Sequence, residues 1–158
     1  MTALRPFLHE DSADLARLFR DSVETLAAED YDEEQRLAWV TIADDEDAFA
    51  ERLAKALTIV ATEEDEAVGF ASLKDGRLID MLYVRPDVAR EGVGAALVDA
   101  LERLAAARGA SEIEVAASDC AKPLFAARGY AAKARVSVDV GGEWLANTTM
   151  TRALEPRR

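Results

Sequence analysis

The chain has 158 residues, half of them hydrophobic, and a formal net charge of −12. This length predicts a single domain over residues 1–158, and the acidic balance argues against nucleic acid as a partner, because phosphate contacts need clustered lysine and arginine. One cysteine and one histidine exclude an internal disulfide and predict no metal site. No apolar run could span a bilayer and the N-terminus lacks a signal-peptide core, so we expect a cytoplasmic protein with no membrane partner.

The first half of the chain alternates strand-like and helical patterns. A first strand is predicted over Ala3–Leu8, and Asp11 or Ser12 is expected to cap a helix that ends near Ala27. Further helices are predicted over 32–39 and 45–56, followed by a hairpin of strands 57–62 and 67–74 around the acidic turn 63–66. A turn signal at Asp75-Gly76 leads into an apolar strand over 78–84.

The second half continues in the same way. An amphipathic helix follows Gly92 and Gly94 and should end at Gly109, a residue type suited to the position just after a helix. Next come a strand over 112–117 and a helix to about residue 128, which begins irregularly or near Lys122 because of Pro123. Two late strands, 135–140 and 144–151, meet at a Gly-Gly turn. The order predicts a mixed α/β fold with a mostly antiparallel central sheet flanked by helices.

The segment 78–97 carries the strongest functional signal. An apolar strand ends at Val84, and after a short loop two glycines open a helix, whose free backbone N–H groups form a phosphate site. A P-loop is excluded because Gly94 is followed by alanine instead of Lys-Ser/Thr. A dinucleotide fingerprint fails because Leu97 occupies the place of the third glycine. A third candidate, coenzyme A, is implied by a family resemblance of this segment, and the alternative is that the glycines only ease the start of a helix.

Two segments resemble the signatures of the GNAT superfamily of N-acetyltransferases. Residues 89–94, Ala-Arg-Glu-Gly-Val-Gly, match Gln/Arg-x-x-Gly-x-Gly/Ala except that Ala89 replaces the usual first residue. Residues 118–130 resemble the second signature, with Ser118 in place of asparagine and Phe125 in place of tyrosine. The segments 121–125 and 142–147, and the Tyr31-x-x-x-Gln35-x-x-x-Trp39 pattern, resemble a bacterial YafP-like branch of this superfamily. The resemblance implies a single-domain GNAT-like fold and acetyl-CoA as co-substrate, without a metal.

The resemblance also implies which residues contact acetyl-CoA. They come from the end of the central strand, the loop, the start of the next helix and the second signature: Leu82, Tyr83, Val84, Ala89, Arg90, Glu91, Gly92, Val93, Gly94, Ala95, Ser118, Lys122 and Phe125. Backbone N–H groups of residues 82–84 would bind the thioester carbonyl. Arg85, Arg90 and Lys122 would supply local positive charge in an acidic chain.

Four residues are candidates for proton transfer. Asp80 leads as the general base, since a carboxylate in an apolar strand is costly without a role; we predict it on the same side as Leu82 and Val84. The alternative is a structural aspartate bonded to the backbone or to Arg77. The other candidates are Tyr83, Ser118 and Tyr130. Phe125 cannot give a proton, so the leaving thiolate would take one from Ser118, Cys120, Tyr130 or water.

The acceptor is harder to read from the sequence. Tyr31, Trp39 and Trp144 are predicted to bind substrate, although packing roles are equally compatible with these residues. The acidic run 29–34 is either solvated surface or a means of attracting a cationic amine. The expected activity is direct acetyl transfer to a primary amine of a small molecule. The alternative is a non-catalytic acetyl-CoA-binding sensor or scaffold, which the missing tyrosine favours. Related proteins often form dimers, so a homodimer is a further expectation.

Overall fold

The computed structural model describes residues 2–155. The strands are β1 (Ala3–Pro6), β2 (Leu57–Glu63), β3 (Glu66–Lys74), β4 (Leu78–Val84), β5 (Glu112–Ser118), β6 (Ala131–Val140) and β7 (Glu143–Ala153). The α-helices are α1 (Ser12–Leu26), α2 (Glu33–Val40), α3 (Glu46–Lys55), α4 (Val93–Ala107) and α5 (Lys122–Ala127). No helix within residues 2–155 is long and apolar enough to cross a membrane.

All seven strands belong to one sheet, in the order β1-β2-β3-β4-β5-β7-β6. Every neighbouring pair is antiparallel except β4 and β5, which are parallel. The predicted fold class, a mixed and mostly antiparallel sheet flanked by helices, is therefore confirmed.

The two faces of the sheet carry separate hydrophobic cores. Side chains alternate along β2, so Ile59 and Ala61 pack into the core beneath α4, whereas Val60 packs into the core beneath α1 and α3. Phe19 and Phe49 are fully buried in the second core, with ring centroids 5.9 Å apart. The sheet thus separates two layers of helices, and any site that reaches both layers must pass through it.

The helix boundaries are close to those predicted, and Asp11 occupies the N-cap position of α1, but neither Asp11 nor Ser12 caps the helix through its side chain. The Asp11 carboxylate accepts the Leu8 N–H and pairs with Arg5, and the Ser12 hydroxyl donates to the His9 carbonyl. Asp11 is bound to the preceding turn and the first strand, contacts that local sequence does not show.

A β-bulge changes the direction of β4. Ser72 pairs with Met81 and the next residue, Leu73, pairs with Ile79, which leaves Asp80 as an extra residue in β4. Ile79 packs into the α4 core and Met81 into the opposite core. After the bulge β4 diverges from β5, because the two strands pair only at residues 78 and 79 of β4.

The C-terminal elements differ most from the prediction. The helix α5 begins at Lys122 with Pro123 in its first turn, where a missing N–H costs nothing. The strand β6 starts at Ala131, four residues earlier than predicted, because its first residues pair with β7 although they lack an alternating pattern. Its outer edge has no neighbouring strand within residues 2–155.

Candidate active site

The gap between β4 and β5 contains a cavity of about 520 Å³. Both strands run in the same direction, so their C-terminal ends flank the opening, and α4 and α5 follow directly. Helix α1 closes the gap from the other face of the sheet. The lining residues are Ser22, Val23, Leu26, Ala27, Trp39, Leu82, Tyr83, Val84, Ala89, Arg90, Gly92, Gly94, Ala95, Ser118, Cys120, Ala121, Pro123 and Leu124.

One end of the cavity is the N-terminus of α4. Gly92 occupies the N-cap position with φ of +91°, a conformation that favours glycine, and no side chain caps the helix. The first N–H groups of α4 therefore face the cavity without an intrahelical acceptor. A Cβ atom at Gly94 would lie 3.3 Å from the Leu124 side chain, so a larger residue would crowd this end. The arrangement fits an anionic phosphate ligand.

The positive charge at this end comes from Arg90. Arg90 lines the cavity and makes no ion pair within residues 2–155. Arg85 is already bound to Asp87 at 2.6 Å and to Glu66 at 3.4 Å. Lys122 does not line the cavity. Of the three cations expected near the site, Arg90 is the one that the structure places in it.

The other end of the cavity is aromatic. The Trp39 Nε1–H donates to the Tyr83 hydroxyl at 3.2 Å, and the Tyr83 ring packs edge-on against Phe19, with centroids 4.7 Å apart. Burial raises the pKa of Tyr83 above its usual value, so this phenol stays protonated at neutral pH. No acceptor for its proton lies among the described residues, and Tyr83 is one of the residues that line the cavity.

A serine and a cysteine lie between the two ends. The Ser118 Oγ is 3.1 Å from the Cys120 Sγ and accepts the Ala121 N–H at 3.2 Å. Burial raises the pKa of the Cys120 thiol, outweighing the hydrogen bond from Ser118. At neutral pH this side chain is therefore a thiol, which can donate a proton but is a poor nucleophile.

Comparison with known proteins assigns the family. The model of the acetyltransferase (GNAT) domain matches residues 27–154. The chain belongs to the GNAT acetyltransferase family. It is 34% identical over 147 residues to the uncharacterized N-acetyltransferase YafP of Escherichia coli K12, with 93% of each chain covered, which confirms the predicted YafP-like branch. Family membership also confirms the expected enzyme class and acetyl-CoA as co-substrate.

Solved structures show the same GNAT fold. A GCN5-related N-acetyltransferase of Rhodopseudomonas palustris is 56% identical and has a TM-score of 0.96, covering 98% of this chain and 96% of that chain. The PaiA N-acetyltransferase of Thermoplasma acidophilum, solved in complex with coenzyme A, is 18% identical with a TM-score of 0.80 over 97% of this chain and 99% of that chain.

Within this GNAT fold, the bulge in β4 turns Asp80 away from its expected side. Both carboxylate oxygens accept hydrogen bonds from Arg52 of α3, at 2.9 and 3.0 Å. The carboxylate thus faces the α3 layer, whereas Leu82 and Val84 pack toward α4, so the predicted placement of Asp80 beside them is wrong. The sequence could not reveal the bulge, and the partner is Arg52 instead of Arg77. Asp80 does not line the cavity, and its role as base stays a prediction.

Two other candidates lie in the core on the α4 side. Phe125 is 1% exposed and packs against the Tyr130 ring, with centroids 5.0 Å apart. The Tyr130 hydroxyl donates to Glu102 at 2.9 Å. Neither residue lines the cavity, so the position that usually bears a tyrosine in this family is here a packing position.

The predicted substrate residues separate into one that lines the cavity and two that do not. Trp39 lines it. The Tyr31 hydroxyl donates to the Ala146 carbonyl at 2.6 Å and accepts the Asp119 N–H at 2.9 Å, and burial raises its pKa to about 12. Trp144 is 63% exposed outside the cavity. Tyr31 therefore joins the α1–α2 connection to β5 and β7 as a structural residue.

The predicted acetyl-CoA contacts are mostly, though not all, on the cavity wall. Nine of the residues implied by the resemblance line it: Leu82, Tyr83, Val84, Ala89, Arg90, Gly92, Gly94, Ala95 and Ser118. The other four, Glu91, Val93, Lys122 and Phe125, do not. Val93 is 2% exposed and belongs to the α4 core, as its place in the helical repeat indicates.

The α1 side of the cavity was not predicted from the sequence. Ser22, Val23, Leu26 and Ala27 follow the helical period of α1 and are not distinguishable from core residues by pattern. Cys120, which the sequence predicted only as one of several possible proton sources, lines the cavity. No group of three or more His, Cys, Asp and Glu side chains that could hold a metal occurs in the part of the chain that the structure describes.

Proposed function

We propose that the chain transfers the acetyl group of acetyl-CoA to a primary amine of a small molecule by direct transfer. The observation that carries the proposal is the continuous cavity, which joins the open N-terminus of α4 to the aromatic end through the gap in the sheet. A long ligand with an anionic end and a reactive end matches this shape.

The phosphate end of acetyl-CoA is proposed to lie against residues 90–95. Charge-assisted hydrogen bonds from backbone N–H groups contribute about 1.5–3 kcal/mol each, and the helix dipole adds about 0.3–1 kcal/mol. Residues 80–84 of β4 have no strand partner on the β5 side. Their backbone edge is therefore available to the pantetheine chain and to the thioester carbonyl.

In the proposed reaction the neutral amine nitrogen attacks the thioester carbon. The C–N bond forms, the C–S bond breaks, and the proton lost by the amine balances the proton gained by the leaving thiolate. Tyr83, Ser118 and Cys120 line the cavity, and the raised pKa values of Tyr83 and Cys120 keep both protonated as donors. The same raised pKa leaves little Cys120 thiolate to carry an acetyl group, which favours direct transfer over an acetyl-enzyme.

Thiol release from acetyl-CoA in the presence of a panel of primary amines tests this proposal, with mass spectrometry of the product. We expect an acetylated amine, and no acetyl group on Cys120 during turnover. Acetyl-CoA binding without thiol release for any amine would contradict the proposal and support the non-catalytic sensor. An acetylated Cys120 in the wild type, together with loss of turnover in Cys120→Ala, would contradict direct transfer.

Two further expectations remain part of the proposal. A cytoplasmic location agrees with a single cysteine that is a free thiol. A homodimer is expected from the resemblance, and the outer edge of β6, with Val136 and Val138 each 39% exposed, offers a surface for it. Sedimentation velocity should show a particle of two chains, and a monomer at all concentrations would contradict this expectation.

A further inference from the structure

We infer that the acceptor is a weakly basic aromatic amine, one whose nitrogen is already neutral at pH 7. This inference rests on the proposed function and adds the chemical class of the substrate. It comes from the walls at the aromatic end of the cavity, from the lack of a carboxylate on the described lining, and from the protonation that the reaction needs.

The walls at this end are mostly apolar. One side is formed by Val23 and Leu26 of α1 and by Ala27 directly after it, with Ser22 as the one polar residue of α1 there. Trp39 and Tyr83 form the other side. The two rings are held by the hydrogen bond between them and by packing against Phe19 and Tyr31. Rigid rings beside aliphatic side chains bind an aromatic body with little loss of side-chain freedom.

No carboxylate is available on these walls to bind an ammonium group. Arg90 is the one charged side chain on the described cavity lining, and it belongs to the α4 end. The Asp80 carboxylate lies outside the lining and is paired with Arg52 through both oxygens. The charges of Asp30 and Asp119 act on Cys120, but both residues also lie outside the lining, and Asp119 is paired with Arg135. An ammonium ion that entered would lose its hydration without gaining a counter-ion, which is costly in an apolar site.

The same walls contain no group to remove a proton from a cationic amine. Tyr83 and Cys120, the titratable groups that face this end, are held in their protonated forms. An alkylamine with a pKa near 10.4 has only about one nitrogen in a thousand neutral at pH 7. An aromatic amine is neutral there, so its lone pair forms the C–N bond directly, and the released N–H proton passes to the sulfur as the C–S bond breaks.

A matched pair of amines tests the inference. Aniline and cyclohexylamine have the same six-carbon ring but differ in the protonation of the nitrogen, and putrescine represents a cationic acceptor. We expect kcat/KM at pH 7 to be at least about tenfold higher for aniline than for cyclohexylamine. The ratio should fall toward pH 9, as cyclohexylamine loses its proton.

A pair of variants places the preference in the cavity. Leu26→Asp adds a carboxylate to the α1 wall and should shift the ratio at pH 7 toward cyclohexylamine. Leu37→Asp makes the same change on α2 at a leucine that is 55% exposed and outside the cavity, and should leave the ratio unchanged. An equal shift in both variants would mean that overall charge, and not the cavity wall, sets the preference, and would overturn the inference.

Other outcomes distinguish a failure of this inference from a failure of the proposed N-acetyltransferase activity. Faster acetylation of cyclohexylamine or putrescine than of aniline at pH 7 would overturn the inference and leave the N-acetyltransferase proposal standing. No acetylation of any amine, with acetyl-CoA binding intact by calorimetry, would overturn both.

Discussion

At Gly94 the absence of a side chain is what leaves the end of the cavity open. A Cβ atom at this position in the first turn of α4 would lie 3.3 Å from the Leu124 side chain and 3.7 Å from that of Val84. Gly94→Glu would place a carboxylate where the phosphates are proposed to bind. We expect acetyl-CoA affinity by calorimetry to fall at least about tenfold, or about 1.4 kcal/mol. Ala107→Glu adds the same charge at the exposed far end of α4 and serves as the control; equal affinities in the two variants would place the phosphates elsewhere.

Asp80 and Arg52 form an ion pair, and variants of the two residues together test the role of Asp80. Because both carboxylate oxygens are bound by Arg52, we expect Asp80 to position β4 against α3. Asp80→Asn and Arg52→Gln should therefore lower the free energy of unfolding by similar amounts, about 1–3 kcal/mol each. Their turnover relative to the wild type should be the same at pH 7 and pH 9.

A base at Asp80 would give a different pH profile. Asp80→Asn alone would then lose turnover at pH 7 and recover part of it at pH 9, where more of the amine is neutral. Arg52→Gln retains the carboxylate and would not show that recovery. Such a difference between the two variants would restore Asp80 as the base and contradict its positioning role.

At the scale of elements, a polar cluster joins α4, α5 and β7 on the side away from the aromatic end. Glu102 is 7% exposed and binds the Tyr130 hydroxyl, Arg128 at 2.6 Å and Arg152 at 2.9 Å. Burial opposes ionisation of Glu102, but these three hydrogen bonds outweigh it and lower its pKa. The cluster fixes the end of α5 and, with it, the wall that contains Leu124.

Tyr130→Phe removes one hydrogen bond from this cluster and leaves the ring in the core. We expect urea unfolding to show a loss of about 1–2 kcal/mol, since the bond is made to a charged group. The rate of acetyl transfer per folded molecule should not change, because Tyr130 does not line the cavity. A large fall in turnover with folding intact would mean instead that Tyr130 supplies the proton to the leaving thiolate.

How much the sequence could predict depends on whether the signal is local. The helical period of apolar residues predicted α4, and the two glycines predicted its open N-terminus, because both signals lie within one element. The bulge at Asp80, the pairing of residues 131–134 with β7 and the burial of Phe125 depend on partners far along the chain. Most residues of the family signatures that were expected at the site line the cavity, but the sequence could not show which polar groups face it.

For the whole molecule, two electrostatic effects act in opposite directions as the pH falls. The net charge of −12 at pH 7 makes the folded chain repel itself, and this repulsion weakens as carboxylates are protonated. In the opposite direction, three carboxylates have pKa values below their ordinary ones because cationic or hydrogen-bonding groups contact them. Arg5 contacts Asp11 and Arg135 contacts Asp119. The third is Glu102 in the polar cluster. Such groups stabilise the fold above their unfolded pKa values and lose that contribution as the pH falls through their folded ones.

Together, these two effects predict that the free energy of unfolding is greatest at about pH 5, below neutral pH but above the pKa range of ordinary carboxylates. Urea unfolding should show the free energy rising modestly from pH 8 to pH 5 and falling below about pH 4. Added salt should stabilise the protein more at pH 7 than at pH 5, because it screens the net charge. Glu102→Gln is the control: it should be less stable at pH 7 and show a shallower decline in acid. A stability that falls steadily from pH 8 would mean that specific ion pairs outweigh the net charge throughout.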